Sequence, residues 1–224
     1  MNITSPTPHT RVKRGFFMYI GLGILLIMSV VTVLGFSRYV LRSLGMPKLV
    51  ALILILITAV LRAIPESELS DITIGYAGIF TAFIALALWL FVGDARMKAV
   101  EFFGVCALAL GIITYYRVSS AAFEWEYLIY PIIVAVFAFV FGMTPKSAVV
   151  VAALGVITGE LLKRFVVSGG NIMLGGGYTF EYMITGMFFA VLLRRIVERI
   201  ASKRRVASSY EAAEIDPRDD SEAE

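Results

Sequence analysis

Ile72-Thr-Ile-Gly-Tyr-Ala-Gly-Ile-Phe-Thr-Ala-Phe-Ile-Ala-Leu-Ala-Leu-Trp-Leu-Phe-Val-Gly93 runs for 22 residues without a charge. Wound as a helix it would be about 33 Å long, enough for a hydrocarbon core of about 30 Å. Asp94-Ala-Arg96 ends it abruptly. Such a run reads as a membrane span, and the rest of the chain repeats the pattern. Apolar blocks recur at 16–36, 49–64, 99–116, 127–143, 147–162 and 178–193. In all, 59% of the 224 residues are hydrophobic and 17% are charged, with a mean hydropathy of +0.85. Soluble domains hold about 45–50% apolar residues, so an ordinary soluble globule is excluded. The expected fold is all-α, a polytopic transmembrane helical bundle.

The number of spans is six or seven. Block 49–64 has 16 residues and ends in Arg62-Ala-Ile-Pro65, and block 147–162 is equally short and holds a carboxylate. Block 16–36 is too long for a signal-peptide core and no small-residue cleavage site follows, so it reads as a retained anchor. If block 72–93 runs from outside to inside, then Arg96, Lys98, Lys146 and the cluster Arg194, Arg195, Arg199, Lys203, Arg204, Arg205 lie in the cytoplasm, as the positive-inside bias requires. Two starts are compatible with that. An internal N-terminus makes block 49–64 re-entrant or flat and leaves six spans; an external one makes both early blocks spans and gives seven. Bases divide 12 inside and 7 outside in both cases, leaving aside Arg218.

Charge also divides the chain. Residues 206–224 carry seven acids and one base, whereas residues 1–205 carry 19 bases and 10 acids. The domain reading is a cytoplasmic or external tail at 1–15, a transmembrane domain at 16–202, and a disordered acidic tail at 203–224. The expected location is the inner (plasma) membrane, multi-pass, with a cytoplasmic C-terminus. The expected partners are the lipid bilayer and a homo-oligomer or larger membrane complex, not nucleic acid. The lone His9 lies in the polar tail, excluding a histidine-based metal or relay centre in the spans, and Cys106 gives no disulfide framework. No metal or cofactor is expected.

Stripes of small residues, Gly75, Gly78, Ala82, Ala85 and Gly104, Ala107, Gly111, together with Gly155-x-x-x-Gly159, read as close helix packing. Tyr115-Tyr-Arg117 and Phe123-Glu-Trp-Glu-Tyr127 read as interfacial belts. Pro131 fits a kink and Pro145 a loop.

Ionisable groups inside a span cost about 2.5–3.5 kcal/mol on insertion scales, so each asks for a partner, a cavity or a function. Two stand out. Glu160, in Gly-Val-Ile-Thr-Gly-Glu160-Leu-Leu, should lie about 9 Å below the outer boundary, and Glu181, six residues past Gly175, about equally deep. Tyr178 and Thr185 share the Glu181 face, and Lys163 lies one turn outward of Glu160. Arg62 and Asp71 bracket the outer loop that could dip toward the same level. These residues form the candidate ion- or substrate-binding site: Glu160, Glu181, Tyr178, Thr185, Lys163 and Arg62. The bland alternative is a Glu160–Lys163 structural pair with Glu181 snorkelling or bonded to Tyr182.

Leu154-Gly-Val-Ile-Thr-Gly-Glu160-Leu-Leu, followed by Leu174-Gly-Gly-Gly-Tyr-Thr-Phe-Glu181-Tyr-Met-Ile-Thr-Gly186, resembles an uncharacterised family of bacterial and archaeal multi-spanning proteins. A weaker echo is Leu44-Gly-Met-Pro-Lys48. The resemblance implies that acids are typical at the positions of Glu160 and Glu181, aspartates in the family and glutamates here.

Three functions follow as expectations. The preferred one is a small solute or ion transport subunit, proton-coupled or not, working through the two glutamates. An intramembrane aspartyl-type protease is the enzymatic alternative, and a structural or regulatory membrane protein the third. Serine and zinc hydrolase motifs are absent from the sequence.

Overall fold

The computed structural model describes residues 20–33, 41–42, 44–69, 72–91, 94–118, 126–166 and 172–214. Among them are seven helices and one small sheet, so the fold is all-α in its bulk. In chain order these are α1 (Ile20–Val33), α2 (Lys48–Ala63), β1 (Ser67–Leu69), β2 (Ile72–Ile74), α3 (Tyr76–Leu90), α4 (Ala95–Val118), α5 (Glu126–Phe141), α6 (Pro145–Val166), β3 (Ile172–Leu174) and α7 (Gly177–Glu214). His9, Asp71 and the Phe123–Trp125 belt lie outside the described residues.

Local chemistry sets several boundaries. Asp94 caps α4, its Oδ1 accepting from the Arg96 amide at 2.9 Å. Thr144 does the same for α6, its Oγ1 accepting from the Ser147 amide at 3.1 Å. Pro145 therefore opens a helix rather than forming a loop; at the first helical position its missing N–H costs nothing. With that cap α6 reaches 22 residues, longer than the block at 147–162 implied. The last helix continues to Glu214, so the stretch from 203 to 214, expected to be disordered, is helical. Alanine, glutamate, lysine and arginine favour helix there, and extending an existing helix avoids the cost of nucleation.

The sheet is the main departure from the expected pattern. Residues 72–74, expected to begin a helix, form β2. This strand pairs antiparallel with β1, Glu68 opposite Thr73, and parallel with β3, Thr73 opposite Met173. The Gly75 amide continues the ladder to the Leu174 carbonyl at 2.9 Å. Gly175, at φ +66°, turns the chain from β3 into α7 against α3. A β-carbon on Gly78 would run into the Gly175 Cα, so backbone meets backbone at this junction.

The sheet closes one end of the bundle, called here the sheet end. Helix α2 ends there and α3 leaves it; α4 and α6 arrive there, while α5 and α7 depart. At the far end Lys48 Nζ donates to the Val33 carbonyl at 2.7 Å, which sets α1 antiparallel to α2. The packing centre is the α4–α6 seam, where Leu108 and Ile112, both 0% exposed, fill the space left by Gly155 and Gly159. Outward faces are apolar instead: Leu26, Val60, Phe83, Phe103, Leu110, Val140 and Phe165 are all more than half exposed. The charged groups Glu101, Glu160 and Glu181 are buried. Two of the described helices, α4 and α6 through Lys163, are by themselves long and apolar enough to cross a membrane, so the expected six or seven spans are not supported by helix length.

Candidate functional site

Two charged networks occupy the sheet end. The first joins α2 to α7. Arg62, in the last turn of α2, donates from Nε to Glu181 Oε1 at 3.1 Å and from Nη1 to Glu66 Oε1 at 3.2 Å. Its guanidinium also lies 5.8 Å from the centre of the Phe180 ring. Both the Arg62 and Glu181 side chains are buried, and Glu66, just past the Pro65 that ends α2, is half-buried. Glu181 belongs to the second turn of α7, which begins at Gly177, so its carboxylate hangs below the sheet.

The second network joins α4, α5 and α6. Glu160 is fully buried, and its Oε1 accepts from the Tyr116 hydroxyl at 3.0 Å and the Tyr130 hydroxyl at 3.3 Å. Lys163 Nζ is 3.8 Å from Glu160 Oε2 and also 3.8 Å from the centre of the Tyr116 ring. The Met173 amide in β3 is directed at the same carboxylate.

Aromatic side chains bridge the two. Tyr182, next to Glu181 on α7, lies 4.6 Å from Tyr130, and Tyr178 stacks on Tyr182 at 6.2 Å. Through Tyr130 the Glu160 network therefore reaches Tyr182 and Tyr178 on α7, the helix that also carries Glu181.

No known protein family, curated protein or solved structure matches this chain. The chemistry of the two networks must therefore be read from their own geometry.

The structure places all six sequence-predicted residues at the sheet end, but divided. Arg62 with Glu181 and Lys163 with Glu160 are separate ion pairs; Tyr178 belongs to the aromatic bridge, and Thr185 is half-buried one turn beyond Glu181. Glu181 is held by Arg62 rather than snorkelling. Tyr116, grouped with an interfacial belt, turns inward to Glu160 instead. A tyrosine at a span end serves either purpose, and the sequence alone does not distinguish them.

Sequence reasoning passed over Glu101. It is 1% exposed near the far end, where Ser147 Oγ donates to its Oε1 at 2.6 Å and shares a 3.0 Å hydrogen bond with Thr144. The signal was present in Ala99-Val-Glu-Phe-Phe, a carboxylate inside an apolar block.

Proposed function

We propose that the chain is a multi-pass protein of a prokaryotic inner (plasma) membrane, a small transport-related subunit whose sheet-end polar layer exchanges a proton or small cation. Membership of the uncharacterised multi-spanning family, carried by residues 154–193, is part of the same reading.

The membrane assignment is supported by the apolar outward faces and buried charges, the reverse of a water-facing surface. Helices of 14–16 residues are short for a bilayer, but α3 is preceded by β2. Together they advance about 32 Å, near the thickness of a hydrocarbon core. Strand backbone at that depth is tolerable because the ladder satisfies it within the protein. The alternation of helix directions favours seven spans over six. The basic cluster from Arg194 onward supports a cytoplasmic far end and C-terminus. With no internal repeat in the sequence, a homo-oligomer or larger complex completes the reading.

The transport reading is carried by the looseness of the Glu160 pair. A wholly buried carboxylate would normally be clasped by its base, yet Lys163 stands 3.8 Å away, beyond hydrogen-bond distance, and shares its charge with the Tyr116 ring. A proton or small cation reaching Glu160 would cancel that attraction and release Lys163 toward the outer surface. The layer therefore has two charge arrangements that one bound cation exchanges. Acid-pair hydrolysis needs two carboxylates sharing a proton, and here each faces its own base.

The test is proton movement into proteoliposomes under an imposed potassium diffusion potential, read by an entrapped pH dye. Wild-type protein should conduct above empty vesicles, and Glu160→Gln should abolish the difference. Equal flux in both proteins, or none in wild type, rejects the reading and leaves a structural role for the layer.

A further inference from the structure

The α1–α2 hairpin does not close tightly on the rest of the bundle. Between it and α3, α6 and α7 lies a cavity of about 370 Å³. Leu25, Met28, Leu54, Ile84 and Met187 form its walls. Thr58 and Thr81 also line it, but their hydroxyls donate to the Leu54 and Ala77 carbonyls, each at 2.8 Å, so those donors are already used within their own helices. Apart from these, Thr32 and Arg195, the lining is apolar, a wall suited to hydrocarbon rather than to water. Ile27 and Leu192 both line the cavity and reach the surface, at 51% and 41% exposure, so it opens sideways between α1 and α7.

One charged residue lines the cavity. Arg195, a turn beyond Val191 and Leu192 on α7, stands at its far end and also lines a second recess with Glu198, Arg199 and Ser202. Three bases, Arg194, Arg195 and Arg199, gather there around one acid, Glu198, so the surroundings carry net positive charge. A long apolar slot ending in a guanidinium matches an amphiphile with an anionic head.

We propose that this cavity holds one acyl chain of an anionic phospholipid from the leaflet at the far end, with the phosphate at Arg195. Scaled from the cavity of about 150 Å³ that accepts six-carbon benzene, 370 Å³ accommodates about 15 carbons, the order of one membrane acyl chain. The inference rests on the membrane assignment and is independent of proton exchange, because its readout is lipid retention.

The experiment is native mass spectrometry of the full chain released from nanodiscs containing equal phosphatidylglycerol and phosphatidylcholine. The expected result is one retained phosphatidylglycerol in preference to phosphatidylcholine. Thr58→Phe, which fills the slot, should remove it. Arg195→Gln, at a partly exposed position, should keep a bound lipid but lose the headgroup preference. No retained lipid in wild type, equal retention of both lipids, or unchanged preference in Arg195→Gln would overturn the proposal.

Discussion

Arg62 is the residue on which the first network turns. It is buried with Glu181 and within reach of Glu66, so removing its guanidinium strands a carboxylate where solvation is poor. Breaking a buried pair from one side costs about 3–5 kcal/mol, whereas replacing both partners with apolar groups is often neutral. Arg62→Ala should therefore lower the thermal midpoint in detergent markedly, and Arg62→Leu combined with Glu181→Leu should recover most of it. A double variant no more stable than Arg62→Ala would mean that the pair is not the coupled unit its geometry indicates. Arg62, Glu160, Lys163 and Glu181 were legible in the sequence because a charge beside or within an apolar block is conspicuous. The local Glu160–Lys163 pair was legible as well, from its one-turn spacing; the Arg62–Glu181 pair was not. Arg62 and Glu181 are 119 positions apart, and nothing in local spacing brings them together.

At the scale of elements, helix position was legible from apolar block length, and the small-residue stripes did mark close packing. The strands were hidden because each has three residues, too few for a period-two pattern, and β2 pairs with a segment a hundred residues away. Their consequence is concentrated at one crossing. Gly78 on α3 meets the Gly175 backbone, and neither side has a flexible side chain to give way. Gly78→Ala should destabilise the fold by about 1–3 kcal/mol, the usual range for overpacking. Gly23 on α1 is the matched control: a β-carbon there meets nothing within 4 Å, so Gly23→Ala should be neutral or stabilising by up to about 1 kcal/mol through helix propensity. Thermal unfolding of the two variants side by side decides the matter, since equal shifts would remove any special role from the α3–β3–α7 junction.

For the whole molecule, the orientation of the first hairpin determines on which side the chain begins. Base counting gives no answer, because Arg11, Lys13 and Arg14 simply exchange sides with Arg38, Arg42 and Lys48. Within the proposed membrane reading, packing favours one of the two starts. The Lys48 to Val33 hydrogen bond places the end of α1 beside the start of α2, and α2 must finish at the sheet end because Arg62 reaches Glu181 there. Helix α1 therefore starts at the sheet end, opposite the basic cluster of α7. The proposed membrane reading then predicts an external N-terminus and a cytoplasmic C-terminus, with Arg42 and Lys48 joining the inner bases. Single cysteines replacing Ser5 or Ser209 in a Cys106→Ser background test it in intact cells with a membrane-impermeant maleimide. Ser5→Cys should be labelled, and Ser209→Cys only after the membrane is opened. Protection at both positions would mean an internal N-terminus, six spans and an early hairpin that does not cross. The acyl-chain cavity would then lose the α1 wall that defines it, so the topology measurement bears on the lipid proposal as well as on the span count.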